Sequence, residues 1–489
     1  MNFIPLIGLE IHAELATQSK LFCSCPVAFA HQPNDLTCPV CLGLPGSLPV
    51  LNRRAVELAV RAILALGGEV NPLSSFARKN YFYPDTPKGY QITQHQYPLG
   101  WGGKVLVEGE THRQKVGIRR IHLEEDAAKL VHEGAGDGPL EQAQATLVDY
   151  NRSGVPLIEI VSEAEMETPE MAQGFLEEVK QILQYTGVSH GRMEQGSLRV
   201  DCNISLRPEA SLSWGQRVEL KNLASSRSLV RALHDEIKRQ EGLLRAQEPV
   251  LPETRHWDER REISVALRGK ETESEYRYLP EADLPPLLLE RSWIAQIEAN
   301  LPQLPGARRR RLTEQYGLSR YAARVLADSR SLADFYEETV ANDVDAKLAA
   351  NWIMGELMHQ VKERRTTFCQ LPFAPAALAR LLSMTADGTI SSAVTKKVLD
   401  RMCKEDIDPV EWVETKNLTQ ITDQETLSVV VDRILKENRA AVESFRQGKS
   451  KALDRLVGKV MQATHGRAKP RLVHVLLRKG LARTIDEHE

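Results

Sequence analysis

The strongest constraint on the fold is a change in sequence character near residue 290. Before it, short segments alternate apolar and polar residues between loops rich in Gly and Pro, which predicts strands. From Trp293 onward apolar residues recur at helical spacing, as in KLAANWIMGELMHQVK. A chain of 489 residues also exceeds what one hydrophobic core usually supports. We expect an α+β domain over 1–291, an all-helical domain over 292–410 and a small helical domain over 411–489.

Composition excludes several classes of protein. The apolar fraction of 42% and charged fraction of 26% are typical of a folded soluble protein. No run approaches the roughly 18–20 apolar residues of a membrane span, and the first residues, MNFIPLIGLEIHAE, lack the basic start of a signal peptide. We expect a cytoplasmic protein with no membrane partner.

Positive charge is concentrated near the C-terminus. The formal net charge is only −3, yet between Arg446 and Arg483 eleven Lys or Arg accompany one acid, which gives that segment +10. Such a segment favours a polyanionic partner, although a solvated helix face has the same composition. The candidate phosphate-binding residues are Lys459, Arg467, Lys469 and Arg471.

Four of the seven cysteines form a C-x-C-x12-C-x2-C pattern: Cys23, Cys25, Cys38 and Cys41. Two close thiolate pairs across a loop are what a tetrahedral zinc site requires. Four thiolates leave no open coordination position, so the spacing predicts a structural zinc knuckle over residues 23–41.

An aromatic segment at residues 81–101, YFYPDTPKGYQITQHQYPLGW, holds six of the 27 aromatic residues. Its Pro and Gly residues prevent a continuous strand or helix, and aromatic side chains on irregular backbone favour a binding surface. Lys79 precedes the segment and Lys88 lies within it.

Acidic residues occur within apolar, strand-like segments. In GLEIHAEL, Glu10 and His12 share one face of a strand, and Glu159 lies in VPLIEIV. In IHLEEDAAK, Glu124 shares a face with a histidine while Glu125 points the other way. Carboxylates there need a cation or an ion pair, and oxygen-rich sets with one imidazole suit Mg²⁺. For any single acid, a structural salt bridge is the alternative.

A second polar face is predicted in LRVDCNISL, where polar residues alternate strictly with apolar ones: Arg199, Asp201, Asn203 and Ser205. After a predicted hairpin connection, VELKNL shows the same alternation of apolar and polar residues, and Lys221 lies on its polar face. A solvated sheet face is the alternative, but Asp and Asn are depleted from strands and suggest a binding role.

Several nucleotide and amidase motifs are absent. The chain has no P-loop, no convincing dinucleotide fingerprint, no G-x-S-x-G elbow and no cysteine with the surroundings of a thiol glutaminase. If the chemistry involves amide nitrogen, ammonia must come from another polypeptide.

Long segments of the chain closely resemble the B subunits of bacterial-type tRNA-dependent amidotransferases. The resemblance spans essentially the whole chain and rests on these segments, in order: GLEIHAEL, SKLFCSC, CPVCLGLPGSLPVLN, KNYFYPDTPKGYQITQ, HLEEDAAK, DYNRSGVPLIEIVSE, LRVDCNIS, VELKNLAS, YRYLPEADLPP, LAANWIMGEL, DGTISSAVTKKVLDRM and LVGKVMQATHGRAKPRLVHVLL.

The resemblance implies a glutamine-synthetase-like cradle with a mainly antiparallel sheet, followed by helical and tail domains that bind tRNA. It implies ATP-dependent conversion of Glu-tRNA(Gln) or Asp-tRNA(Asn) to the amide. The partners it implies are a glutaminase A subunit and a small C subunit, in a heterotrimer, and mischarged tRNA.

It also implies roles for individual residues, with ATP, Mg²⁺ and structural Zn²⁺ as cofactors. Arg199, Asp201, Asn203, Ser205 and Lys221 would line the ATP side, and Lys79 and Lys88 the ammonia entry. The implied Mg²⁺ residues are Glu10, His12, Glu124, Glu125, Asp149 and Glu159, with Asn151 a further candidate.

Two other functions compete with this one. A zinc-containing tRNA-binding scaffold without an active site would explain the cysteines and the basic tail, but not the carboxylates in apolar segments. A free-standing ligase acting on a small acid would not need the basic tail. A nearer alternative is the archaeal paralogue of these B subunits, which is dedicated to Glu-tRNA(Gln). It carries a large insertion between the cradle and helical regions, and this chain has no room for one.

Overall fold

The computed structural model describes residues 2–29, 31–108, 113–133, 143–210, 213–269, 273–421, 423–446 and 451–486. The chain divides into two compact units, Met1–Ala307 and Arg308–Glu489. The domain boundaries predicted after residues 291 and 410 stay predictions.

Seventeen strands lie among the described residues of the first unit. They are β1 Phe3–Glu14, β2 Glu69–Val70, β3 Leu73–Ser74, β4 Ala77–Asn80, β5 Tyr90–Thr93, β6 Gly100–Trp101, β7 Lys104–Glu108, β8 Arg113–Glu125, β9 Lys129–Glu133, β10 Ala145–Asp149, β11 Pro156–Ser162, β12 Leu198–Pro208, β13 Val218–Lys221, β14 Glu253–Asp258, β15 Ile263–Gly269, β16 Leu279–Pro280 and β17 Leu287–Leu288.

The helices of the first unit are α1 Arg53–Ala65, α2 Pro169–Tyr185, α3 Ser226–Arg245 and α4 Arg291–Ala299; α5 Pro305–Glu314 spans the division. Those of the second unit are α6 Arg320–Leu326, α7 Arg330–Val340, α8 Ala346–Trp352, α9 Met358–Glu363, α10 Pro375–Ala386, α11 Ser392–Met402, α12 Pro409–Thr415, α13 Gln424–Glu437, α14 Arg439–Arg446, α15 Lys451–Ala463 and α16 Pro470–Asp486. Short 3-10 turns cover Met193–Gln195, Glu273–Tyr276 and Phe368–Gln370.

A ten-stranded sheet organises the first unit, in the order β15-β14-β13-β12-β1-β11-β8-β6-β2, with β7 also paired to β8. Every pairing in it is antiparallel except that of β13 with β14. The α+β class with a mainly antiparallel sheet is thereby confirmed. Strand β1 lies at its centre, between β12 and β11.

The apolar face of this sheet forms the core of the first unit. Leu9 and Ile11 of β1 are buried there, in one cluster with Ile160 of β11 and Cys202 of β12. Helices α1, α2 and α3 contribute to the same cluster and contact β8, β1 and β12 respectively. The helices leave the opposite, polar face of the central strands to form a site.

The second unit is helical, and its described residues form two hydrophobic clusters. One includes buried residues from Leu312 to Val413 and the other from Leu427 to Leu481. The helical period predicted for residues 347–362 is present but interrupted, because a π-helical turn at Ile353–Leu357 separates α8 from α9. In the described part of the chain, no helix has the length and apolar character to cross a membrane.

Candidate active site and metal centres

The register of the central strands brings charged side chains together on the polar face. Glu10 lies opposite Asp201 of β12, and His12 lies between Arg199 of β12 and Glu159 of β11. Side chains two residues apart share a face, so this register forms one charged surface, the polar floor. The alternation predicted for β1 and β12 is confirmed.

A histidine–glutamate cluster, defined as His12, Glu124 and Glu159, lies at the centre of the polar floor. His12 Nε2 is 3.7 Å from Glu124 Oε1 and 3.6 Å from Glu159 Oε2. One ligand atom from each of the three residues lies within 4.8 Å of the others, as a metal site requires. Both carboxylates are almost fully buried.

His122 is a member of this site that the sequence analysis did not assign. Its Nε2 lies 3.0 Å from Glu159 Oε2 and 3.8 Å from Glu124 Oε2. The alternation in β8 placed it on the same face as Glu124, which was the available signal. Its Nδ1 is buried without a hydrogen-bond partner among the described residues.

Burial and mutual charge shift the pKa values of this site in opposite directions. Burial opposes the imidazolium, but the hydrogen bond and charge of Glu159, with the charge of Glu124, raise the pKa of His12 to about 9. Burial also opposes ionisation of Glu159, yet the two imidazoles hold its pKa well below the usual range. The cluster therefore keeps its carboxylates ionised by means of adjacent positive charge.

Glu10 lies at the edge of this cluster. Burial first, and then the charges of Glu159 and Glu219, raise its pKa, and Asn203 Nδ2 donates to Glu10 Oε1 at 2.9 Å. A cation bound between Glu10 and the histidine–glutamate cluster would relieve this repulsion. Carboxylate oxygens with an imidazole are a donor set that fits a divalent cation, and the residues present fit Mg²⁺.

Glu125 points away from the cluster, as the strand alternation indicated. Its Oε1 accepts hydrogen bonds from Lys88 Nζ and from Ile92 N, the latter at 2.8 Å. These residues line a small cavity of about 60 Å³ that Cys41 also borders. The Mg²⁺ role predicted for Glu125 stays a prediction.

The aromatic segment lies beside this cavity. Phe82 is 80% exposed and Tyr83 is 56% exposed, whereas burial raises the pKa of Tyr81 above its usual range. Lys79 Nζ lies 4.6 Å from the ring centroid of Tyr276. The segment thus presents aromatic surface outside and Lys88 towards the cavity.

Asp149 and Asn151 contact the segment that links the two cysteine pairs. Asp149 Oδ1 accepts from Asn34 N at 3.1 Å, and Asn151 Oδ1 accepts from Leu36 N at 2.8 Å. In this structure both side chains support that segment, and the predicted Mg²⁺ role of Asp149 stays a prediction.

Of the candidate ATP residues, Lys221, Asp201 and Asn203 lie together on one side of the polar floor. Lys221 Nζ donates to Asp201 Oδ2 at 2.9 Å, and Asn203 donates to Glu10. Ser205 is buried further along β12. Arg199 instead extends to Asp126, to which its Nη2 donates at 2.8 Å.

Asp126 was not predicted, because it follows β8 and no strand period includes it. It is 4% exposed, and Arg152 Nε lies 3.4 Å from its Oδ2. Glu14 contributes to the same region, where burial and the charge of Asp126 raise the pKa of Glu14 to about 7.

The four cysteines converge as their spacing predicted, with one sulfur of each within 4.8 Å of the others. The hydrogen bond from Cys23 is the main cause that lowers the pKa of Cys41 to about 4. Lys20, fully buried, places its Nζ 3.6 Å from Cys41 Sγ. A buried cation beside four thiols fits an anionic thiolate centre, so the residues present fit Zn²⁺.

Three of the four candidate phosphate-binding residues are exposed: Lys459, Lys469 and Arg471. Arg467 is half-buried, and its Nη1 donates to Asn417 O at 2.6 Å. The geometry makes the first three available to a polyanion and gives Arg467 a structural contact.

Comparison with known proteins gives matches over nearly the whole chain. A family model described as the GatB/GatE catalytic domain matches residues 5–295, and one described as the GatB domain matches residues 334–481.

Full-length relatives share close to half of the sequence. The chain is 46% identical over 482 residues to the B subunit of the aspartyl/glutamyl-tRNA(Asn/Gln) amidotransferase of Carboxydothermus hydrogenoformans, covering 99% of each chain. It is 46% identical over 482 residues to the B subunit so named from Moorella thermoacetica, covering 98% of this chain and 100% of that one. For the B subunit of Geobacillus thermodenitrificans the identity is 46% over 477 residues, 98% of each chain.

Proposed function

The chain belongs to the family of aspartyl/glutamyl-tRNA amidotransferase B subunits, and on this premise we propose that it carries out ATP-dependent transamidation of mischarged tRNA. Its substrates are Glu-tRNA(Gln), Asp-tRNA(Asn) or both. The observation that carries the proposal is the buried histidine–glutamate cluster on the polar floor, within the residues that match the catalytic-domain family.

The proposed reaction has two steps. A free carboxylate is a poor acyl donor, so an oxygen of the aminoacyl side chain first attacks the γ-phosphorus of ATP and ADP leaves. Ammonia then attacks the acyl carbon, phosphate leaves, and the nitrogen loses a proton. The product is the amide still esterified to its tRNA.

The chain's residues divide the work of this reaction. His12, Glu124 and Glu159, with Glu10 beside them, would hold Mg²⁺, which neutralises charge on the phosphate oxygens. Lys221, paired with Asp201, offers a cation to the nucleotide phosphates. His122 hydrogen-bonds or pairs with Glu159 and so fixes its orientation.

Ammonia would come from a partner glutaminase A subunit. Free ammonia in water is mostly protonated and not nucleophilic, so it must travel sheltered from solvent. Lys88 and Glu125 are joined by a hydrogen bond and line the small cavity under the aromatic segment, so they would border such a route.

The remaining components support assembly and tRNA binding. Zn²⁺ on the cysteine cluster would brace the segment beside the cavity, and a small C subunit would complete a heterotrimer. The exposed basic residues of α15, α16 and the connection between them would contact tRNA phosphates. A non-catalytic scaffold would need the cysteines and the basic residues, but not the buried carboxylates of the polar floor.

The test is phosphoryl transfer by the assembled complex carrying His12→Ala. We expect transfer of the γ-phosphate to mischarged tRNA to fall at least a hundredfold, because the cluster loses one of its three ligands, while tRNA affinity changes less than twofold. His234→Ala is the matched control, since His234 is exposed and pairs with Glu170 at the surface. Unimpaired transfer by His12→Ala would refute the assignment.

A further inference from the structure

Asp126 is fixed in place from several directions. Its backbone N donates to Val155 O at 2.8 Å, and its O accepts from Gly154 N at 2.9 Å. One carboxylate oxygen accepts from Arg199, and the other lies near Arg152. A buried carboxylate held in this way can position a guanidinium.

Arg199 has binding capacity left over. Its hydrogen bond to Asp126 uses one of the five N–H donors of the guanidinium, and its side chain is 35% exposed. A guanidinium anchored on one side presents its other donors in a planar fork, which matches a carboxylate or phosphate by two parallel hydrogen bonds.

The order of residues along the polar floor places the cluster between two cations. Lys221 pairs with Asp201, which lies opposite Glu10. The next pair of opposed residues is His12 of β1 and Arg199 of β12. The guanidinium of Arg199 extends beyond this pair to Asp126, past the end of β8. In-line phosphoryl transfer needs its donor and acceptor on opposite sides of the transferred group.

The Arg199 side also adjoins the proposed ammonia route. Asp126 directly follows Glu125, whose carboxylate binds Lys88 at the small cavity. Ammonia must reach the acyl carbon of the phosphorylated carboxylate, so the acceptor belongs on this side and the nucleotide on the Lys221 side.

We propose that Arg199, held by Asp126, binds the side-chain carboxylate of the aminoacyl group. The inference rests on the proposed function. It assigns Arg199 to the aminoacyl group, whereas the sequence predicted that Arg199 would line the ATP side. Asp126 acts as a positioning residue through Arg199.

This site would also distinguish substrate from product. A carboxylate accepts two hydrogen bonds from the guanidinium, whereas the product amide turns an NH₂ donor towards N–H donors. A site built to bind one group rejects an analogue that leaves its polar atoms unpaired. The product is therefore bound more weakly and released.

Equilibrium binding to the assembled complex without ATP tests the inference. The probes are two pairs that differ only in the acyl group, Glu-tRNA(Gln) against Gln-tRNA(Gln) and Asp-tRNA(Asn) against Asn-tRNA(Asn). We expect wild type to prefer the acid in at least one pair by about tenfold or more, the effect of one charge-assisted bond. Arg199→Met and Asp126→Asn should bring that ratio close to one, with ATP affinity within twofold of wild type.

Two further variants separate the two sides of the floor. Lys221→Met should weaken ATP binding and keep the preference for the acid. Arg207 lies on β12, the strand that also carries Arg199, and its guanidinium lies over the ring of Trp214. Arg207→Met should leave both the ATP affinity and the preference for the acid unchanged. If Arg199→Met does not fold, Arg199→Lys serves instead, with a reduced preference because the planar fork is lost.

The inference is overturned if wild type shows no preference in either pair. It is also overturned if the Arg199 and Asp126 variants keep the preference, or if they weaken ATP binding as Lys221→Met does. Failure of the proposed function is a different result, since wild type would then form no amide from ATP and ammonium whatever its binding preference.

Discussion

Lys20 is fully buried, and Cys41 Sγ and Tyr150 O are its hydrogen-bond acceptors, at 3.6 Å and 3.4 Å. A buried ammonium needs an anion nearby, and a carbonyl oxygen alone does not supply one. A zinc ion held by the four thiolates would carry a net negative charge, and Lys20 would offset part of it. The residue is therefore expected to matter for metal affinity without ligating the metal.

Lys20→Met is predicted to weaken Zn²⁺ binding by about 10- to 100-fold, the usual effect of removing a group that supports a ligand. Competition with a chromophoric chelator measures this, and metal analysis of purified protein should give one zinc per chain in wild type. Lys104→Met, at an exposed lysine, is the matched control. Equal zinc affinity in wild type and Lys20→Met would contradict the prediction.

At the scale of elements, one ion pair joins the strand before the aromatic segment to the end of the first unit. Arg78 of β4 donates to Glu281 through Nε at 2.8 Å and Nη2 at 2.7 Å. Leu279 of β16 lies opposite Arg78 in the β4–β16 pairing. The Glu281 side chain is 0% exposed, so its charge depends on this partner.

Arg78→Met is predicted to lower the free energy of unfolding by about 3 kcal/mol, the lower part of the range for breaking a buried pair, because Arg78 is partly exposed. Burial alone would raise the pKa of Glu281, but the hydrogen bond from Arg78 lowers it below its usual value. A lowered pKa stabilises the fold above the unfolded-state pKa, and this stability is lost as pH falls through the folded pKa.

Urea unfolding of wild type and Arg78→Met at about pH 7 and about pH 4 measures this difference. The gap between them should be large at the higher pH and smaller at the lower one. Arg54→Met, which removes a surface pair with Glu57, is the control and should change stability by less than about 1 kcal/mol. A gap that grows on acidification would show that the pair does not stabilise β4 and β16.

At the scale of the whole molecule, the positive charge of the second unit offsets the acids of the rest of the chain. Val413 is fully buried in the cluster of the preceding helices, so deleting residues 411–489 would disrupt that cluster as well as remove the basic residues. Neutralising exposed side chains tests the charge without removing any element.

The triple variant Lys459→Ala, Lys469→Ala and Arg471→Ala is predicted to weaken tRNA binding and flatten its salt dependence. Each lost phosphate contact lowers the log-log slope by roughly 0.7 to 0.9. Lys104→Ala, Arg113→Ala and Lys115→Ala remove the same charge from exposed positions of β7 and β8 and should leave the slope unchanged. Unchanged slope in the first triple variant would mean that the basic segment is only a solvated surface.

The sequence by itself determined the fold class, the change from sheet to helices and the faces of the central strands. Period-two alternation fixes which side chains share a face, so Glu10 with His12 and Arg199 with Asp201 were predictable. Cysteine spacing likewise predicted a cluster, because two close pairs need only one loop to bring them together.

Only the tertiary structure decided which of these groups meet. Alternation does not specify strand order or register, and these put Glu159 and His122 beside His12 and turned Glu125 towards Lys88. Asp126 follows a strand, where no period applies, and its pairing with Arg199 depends on the sheet bringing β8 and β12 within reach. The same holds for Lys20, because burial beside Cys41 is a property of the packed chain and not of its neighbours in sequence.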